Sequence, residues 1–275
     1  MNHALTPGSN TAAAALVARL ERGKTIVREA GQIALGYFNR GADREHELDI
    51  QTKGSQDWVS RADQEVEQFI RSQLRDSFPE DAVVGEEYGQ DEVQDQQLLW
   101  VIDPIDGTTC FLKGIPQWCI VIALSQGSTV LLSIIYDPVA RELYHAQAGS
   151  GAWLNNRAIS VAPSQSLQDG LISVGSSVQL GAGNSARLIE QLVASGGMYS
   201  RIGSCALGLA YVASGRLLGM YEPLIHPWDS WAGELLVQEA GGRTLERSQG
   251  ADLGRPGPTI AATPGVWDAI DELLR

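Results

Sequence analysis

The sequence is short of cysteine, of cationic residues and of long apolar runs, and each shortage excludes a class of function. Among its 275 residues are three cysteines, Cys110, Cys119 and Cys205. An odd number with no C-x-x-C spacing builds neither a disulfide framework nor a thiolate zinc site, and a reducing cytoplasm is the expected compartment. Lysine and arginine number 20 against 33 aspartates and glutamates, for a net charge of −13. Such a chain offers no basic surface for direct nucleic-acid binding. Nor does it attract an anionic substrate by bulk charge, although bound metal cations could do so locally. No stretch approaches the roughly 18 apolar residues of a membrane helix. The segment TAAAALVARL (11–20) lacks a basic leader and reads as the start of a helix rather than a signal peptide, so no membrane association is expected.

What is present is an ordinary globular composition, with 44% apolar and 19% charged residues. The length suits one large domain or two packed halves. Residues 11–39 read as a helix stopped at Gly41. In SRADQEVEQFIRSQLRDSF, Val66, Phe69, Ile70, Leu74 and Phe78 share one helical face, with Ser60 and Asp63 as its start signal. LLWVI (98–102) is a buried strand. CIVIALSQG, VLLSIIYDP and ELYHAQAGSGAWLNN follow as strands of an antiparallel meander. Beyond about residue 165, strands and helices alternate. LISVGSS and LLGMYEP read as strands, residues 185–195 and 204–214 as helices, and DSWAGELLVQEAGG as a helix ending on Gly241. TIAAT and GVWDAIDELL close the chain as strand and helix. The pattern predicts a layered α/β protein with two halves, 1–150 and 151–275, sharing one cleft as a single functional unit.

Carboxylates gather in four places. DPIDGTT (103–109) follows the buried strand and precedes a helix. Asp103, the carbonyl of Ile105 and Asp106 are hard oxygen donors of the kind Mg²⁺ prefers. The backbone N–H groups of Gly107, Thr108 and Thr109, opening the helix, suit an anion. Read alone, the segment is as well explained as an Asp-rich turn with an N-cap. VVGEEYG (83–89) carries Glu86 and Glu87 after a short strand, and alone it reads as a solvated acidic loop. In KGSQDWVSRAD (53–63), Lys53 and Asp57 read as loop charges and Asp63 as a helix cap. In YEPLIHPWDSWAGELLVQEAGG, Asp229 sits at an N-cap position with Trp228 packed beneath it.

Taken together and in order, GEE, DPIDGTT and WD-x-x-AG…EAGG resemble the inositol monophosphatase family of Mg²⁺-dependent, lithium-sensitive phosphatases, over residues 11–272. The resemblance implies an α/β/α/β/α sandwich, a homodimer and two or three Mg²⁺ ions. It implies that Glu86, Asp103 and the Ile105 carbonyl hold metal, with Asp103 bridging, and that Asp106 and Asp229 hold the second ion. Glu86 and Thr108 would position and help deprotonate the attacking water, Asp63 would hydrogen-bond Thr108, and Glu87 would support rather than ligate. Gly107 and Thr108 would hold phosphate through their backbone N–H groups. Asp106, Gly203, Ser204, Cys205 and Glu222 would line the substrate. Glu222 stands seven residues before Asp229, and a carboxylate there accepts hydrogen bonds from the hydroxyls of a polyol.

Two positions depart from the family's pattern. In TTCFLKG, Cys110 and Lys113 stand where the family usually has Asn and His. Neither touches the expected ligands, but both put inositol monophosphate in question as the physiological substrate. A small sugar or polyol monophosphate, inositol monophosphate foremost, is still the first expectation. Histidinol phosphate, adenosine 3′,5′-bisphosphate and a sugar bisphosphate stay open within the same chemistry. Beyond Arg201 and Arg216 there is no basic cluster near 201–226 for a doubly phosphorylated nucleotide. A role as an accessory protein of the transcription machinery, on the same fold, is the alternative of another class. His145 reads as a packed or surface imidazole, Trp118 and Trp231 read as core or subunit-interface aromatics, and His226 is given no chemical role.

Overall fold

The computed structural model describes residues 7–39, 50–54, 57–94, 96–246 and 255–275. The expected helix stop at Gly41 lies outside them. Five layers stack in the order helix, sheet, helix, sheet, helix. The outermost layer is the long helix Pro7–Phe38 with the helix Arg61–Ser77. Beneath it lies an eight-stranded sheet in the order Arg157–Ile159, Ala152–Leu154, Glu142–Gln147, Thr129–Asp137, Cys119–Gln126, Leu98–Asp106, Ala82–Gly85, Gly89–Gln90. All its neighbours are antiparallel except Ala82–Gly85, which runs parallel to Leu98–Asp106. The middle layer is the helix pair Cys205–Ala213 and Pro227–Glu239. A five-stranded sheet follows, in the order Met198–Ser200, Leu171–Val174, Gly219–Ile225, Gly257–Ala262, Arg243–Thr244. The helices Gly183–Ala194 and Pro264–Leu274 cover its far face.

The strand sequences dictate this stacking. On Leu98–Asp106, Trp100 and Ile102 pack toward the outer helices, while Leu99 and Val101 pack toward the middle ones. The next strand repeats the division, with Ile120, Ile122 and Leu124 on one side and Cys119, Val121 and Ala123 on the other. A sheet covered on both faces needs near-continuous apolar strands rather than an apolar–polar alternation, and LLWVI and CIVIAL supply them. The first sheet continues through Ile159, past residue 150. Lys53 and Asp57, read as loop charges, lie on two short paired strands, Gln51–Gly54 and Asp57–Val59. Among the described residues no helix is long and apolar enough to cross a membrane.

Candidate metal centre

The spacing of Asp103 and Asp106 is explained by an irregularity in the strand that carries them. Successive side chains on a regular strand point to opposite faces, so residues three apart would diverge. Here Asp103 pairs with Val121 and Asp106 with Cys119, so three steps on one strand match two on the other. This is a β-bulge, and one inserted residue restores Asp106 to the face that Asp103 occupies. Pro104 sits inside the bulge, where its missing N–H breaks no ladder bond. Ile105, the extra residue, turns into the outer core.

The chain then reverses through Gly107 into the short helix Thr108–Leu112. Gly107 has φ +96°, and a Cβ there would lie 2.6 Å from the Gln117 carbonyl oxygen and 3.2 Å from the Ser204 Cβ. Both the left-handed backbone and the space demand glycine. Phe111 anchors the short helix by packing edge-on against Trp118, with ring centroids 4.9 Å apart.

Three elements converge beside the bulge. Glu86 follows the strand Ala82–Gly85, the parallel neighbour of the Asp103 strand, and Asp229 comes from the helix Pro227–Glu239. One carboxylate oxygen from each of Glu86, Asp103 and Asp229 lies within 4.8 Å of the others. Asp103 is 1% exposed, and its carboxyl is pushed well above the usual range by burial and then by Glu86, Asp229 and Asp106. Asp229 is not the N-cap that the sequence suggested. Pro227 starts the helix earlier, His226 is the N-cap, and Asp229 is the third helical residue, accepting the His226 N–H at 3.1 Å in a capping box. Trp228 stacks flat on His226, with ring centroids 4.2 Å apart.

Asp106 stands outside the trio and is tied across to the middle helix layer. Its Oδ2 accepts the Ala206 N–H at 2.6 Å and the Ser204 hydroxyl, and its Oδ1 accepts the Cys205 N–H at 3.2 Å. The Cys119 thiol lies 3.8 Å from the same Oδ2. Ser204 also caps its own helix through the Leu207 N–H. Of the expected substrate-lining set, Ser204 and Cys205 therefore reach Asp106 directly, Cys205 through its backbone. Gly203 leaves room for the Cys110 thiol, which packs where a Cβ would stand. Cys110 is thus a packing residue against Gly203, and Lys113 is the exposed C-cap of the short helix.

Glu222 lies on the strand Gly219–Ile225 with its carboxylate against Gly175, which has no Cβ to obstruct it. Burial raises its carboxyl to about 7, with Arg201 pulling it back and Asp106 and Asp229 pushing it up. Arg201 itself donates to the Ser176 hydroxyl at 3.1 Å. Charges from both sheets thus bear on one region.

One expected contact is not made. Asp63 does not bond Thr108. Its Oδ2 accepts the Ser60 N–H at 2.9 Å and the Ser60 hydroxyl at 2.6 Å, closing the capping box of the helix Arg61–Ser77. Its Oδ1 is buried and accepts no hydrogen bond among the described residues. The Thr108 hydroxyl donates instead to the Ile105 carbonyl at 3.1 Å. Burial raises the Asp63 carboxyl to about 7, with Ser60 opposing and Glu87 adding to the rise.

The donor set fits a hard divalent cation. Three carboxylates, one buried and two half-buried, repel one another unless protons or a cation lie among them. All the donors are oxygen, which suits Mg²⁺ and not a thiolate-seeking metal. The buried thiols lie around Asp106, not in the trio.

Comparison with known proteins finds relatives along nearly the whole chain. A family model described as the inositol monophosphatase family matches residues 18–274. An inositol-1-monophosphatase of Rhizobium meliloti is 33% identical over 256 residues, covering 92% of this chain and 91% of that protein. A protein named Nus factor SuhB, from Vibrio cholerae, is 32% identical over 252 residues, covering 91% and 94%. The crystal structure of extragenic suppressor protein suhB from Bartonella henselae superposes with a TM-score of 0.87 at 32% identity, covering 94% and 98%.

Proposed function

This chain belongs to the inositol monophosphatase family, and from that premise we propose that it is a cytoplasmic, Mg²⁺-dependent phosphatase of small polyol or sugar monophosphates, inositol monophosphate first. The convergence of Glu86, Asp103 and Asp229 carries this reading, because a trio of hard donors at the end of a bulged strand has its simplest use in holding Mg²⁺. When bound, the cation offsets the negative charge that makes a phosphate monoester resist attack. The chain's own residues do the rest. Glu86, Asp103, Asp229 and the Ile105 carbonyl hold metal, and Asp106 extends the ligand set. The N–H groups of Gly107 and Thr108 orient the phosphate. Glu86, with Thr108, holds the attacking water and takes up its proton. Asp63 supports the region by closing the start of its helix. Glu222 accepts hydrogen bonds from the polyol, with Ser204, Cys205 and Gly203 lining the same side. A homodimer and inhibition by Li⁺, a small cation able to compete for such a site, belong to the same reading.

Phosphate release from inositol 1-phosphate, histidinol phosphate, adenosine 3′,5′-bisphosphate and fructose 1,6-bisphosphate, with and without Mg²⁺, tests it. Mg²⁺-dependent release from a polyol phosphate well above the others is expected. No release from any of the four, by protein shown to bind Mg²⁺, would contradict it. A second reading is favoured by the relatives named Nus factor SuhB. It is that the protein also binds the transcription machinery, and co-sedimentation of the purified protein with transcription complexes checks it, an unbound protein at physiological levels counting against it.

A further inference from the structure

We propose that Glu67 and Arg71, a buried ion pair on the helix Arg61–Ser77, are positioning residues that set the shape of the Glu86 turn and through it the affinity for Mg²⁺. This rests on the phosphatase reading above. Glu67 is 0% exposed and Arg71 5%. A carboxylate so deep survives only if its lone pairs are filled. Its Oε2 accepts the Glu87 N–H at 2.7 Å, and its Oε1 accepts the Tyr88 N–H at 3.2 Å and the Arg71 Nε at 2.7 Å. The two residues that follow Glu86 are therefore hung by their backbone from one side chain of the helix.

Arg71 extends the grip to the rest of the hairpin. Its guanidinium donates to the Gly89 carbonyl and, at 3.5 Å, to the Val83 carbonyl. Asp91, which accepts the Val83 N–H at 3.1 Å, lies 3.8 Å from the same guanidinium. Both strands that flank the turn are thus fastened to the helix. Gly85 supplies independent support, since a Cβ there would overlap the Glu67 carboxylate. Its φ is not left-handed, so the glycine of G-E-E is there for space, and the space is filled by Glu67. A metal ligand on a turn is only as well placed as the groups that hold the turn, and losing such partners costs roughly 10–100-fold in metal affinity.

The test is calorimetric titration of Mg²⁺ alone into the full-length protein, for wild type, Glu67→Gln and Gly85→Ala. Both variants are expected to bind Mg²⁺ about tenfold or more weakly. At saturating Mg²⁺, kcat should be largely recovered, with KM for the phosphate ester within about twofold of wild type, a split that general loss of packing does not produce. Unchanged Mg²⁺ affinity in a folded variant, whatever its fall in Tm, would overturn the positioning role and leave the phosphatase reading intact. Wild type that fails to bind Mg²⁺ would overturn both. If Glu67→Gln does not fold, Gly85→Ala decides alone, since it leaves both side chains in the sequence and takes only the room of the Glu67 carboxylate.

Discussion

At the residue scale the account turns on charge held out of water. Asp103 is buried beside three other carboxyls, Glu86, Asp229 and Asp106, which together with burial push its own carboxyl up. Asp103→Asn removes one donor, and it also removes repulsion from the metal-free protein. Turnover should fall at least about 100-fold, by analogy with the upper range for lesser perturbations of a metal site, while metal-free Tm stays level or rises. Steady-state kinetics and thermal melts in chelator check the two halves. Asp63 gives a pH prediction with a definite sign. Its carboxyl is at about 7 folded and about 3.9 unfolded. A raised folded value means that its stabilisation is complete below about 4 and is lost as pH rises through about 7. Metal-free stability should therefore fall between those limits, and Asp63→Asn should flatten that slope in denaturant titrations at several pH values. An unchanged slope would contradict it. Glu222→Gln should shift preference among polyol and nucleotide phosphates more than it lowers turnover on a generic ester.

At the element scale the middle helix Cys205–Ala213 is buried almost all round, so its ends matter more than its faces. Ser204 both caps that helix and donates to Asp106. Ser204→Ala should cost about 1 kcal/mol from the cap, measured by denaturant unfolding, and should weaken Mg²⁺ binding by freeing Asp106. Much at this scale was legible in the sequence. The meander, the α/β alternation and the helix start at Ser60–Asp63 all follow from period, capping residues and glycine stops. Three features were not legible, each for its own reason. The bulge between Asp103 and Asp106 is a matter of pairing with Cys119 and Val121, and pairing is not written in either strand alone. The Asp229 misplacement arose because the acid of a capping box looks like an N-cap until Pro227 is counted as the first helical residue. Glu67 and Arg71 carry no signal in the sequence, because polar residues on a helix default to its solvent face, whereas here Asp63, Glu67 and Arg71 form a buried stripe four residues apart.

At the scale of the whole molecule the site is a junction. Glu86 and Asp103 come from the first sheet, Asp229 and the partners of Asp106 from the middle helices, and Glu222 from the second sheet. DPIDGTT could be read from the sequence as a ligand segment, but its meeting with residues a hundred positions later could be expected only through family resemblance. A cation bound at such a junction would hold the layers together as well as serve the proposed chemistry. Ligand binding to the folded state stabilises by about 2.7 kcal/mol at a hundredfold excess over Kd. Mg²⁺ should accordingly raise the wild-type Tm, and Asp103→Asn should abolish most of that rise.

The most direct measurement is inorganic phosphate released from inositol 1-phosphate by wild type and Asp103→Asn across a Mg²⁺ titration. Saturable Mg²⁺-dependent release by wild type, nearly absent from a folded Asp103→Asn, is the predicted result. Release that is independent of Mg²⁺, or equal in the two proteins, would contradict the account.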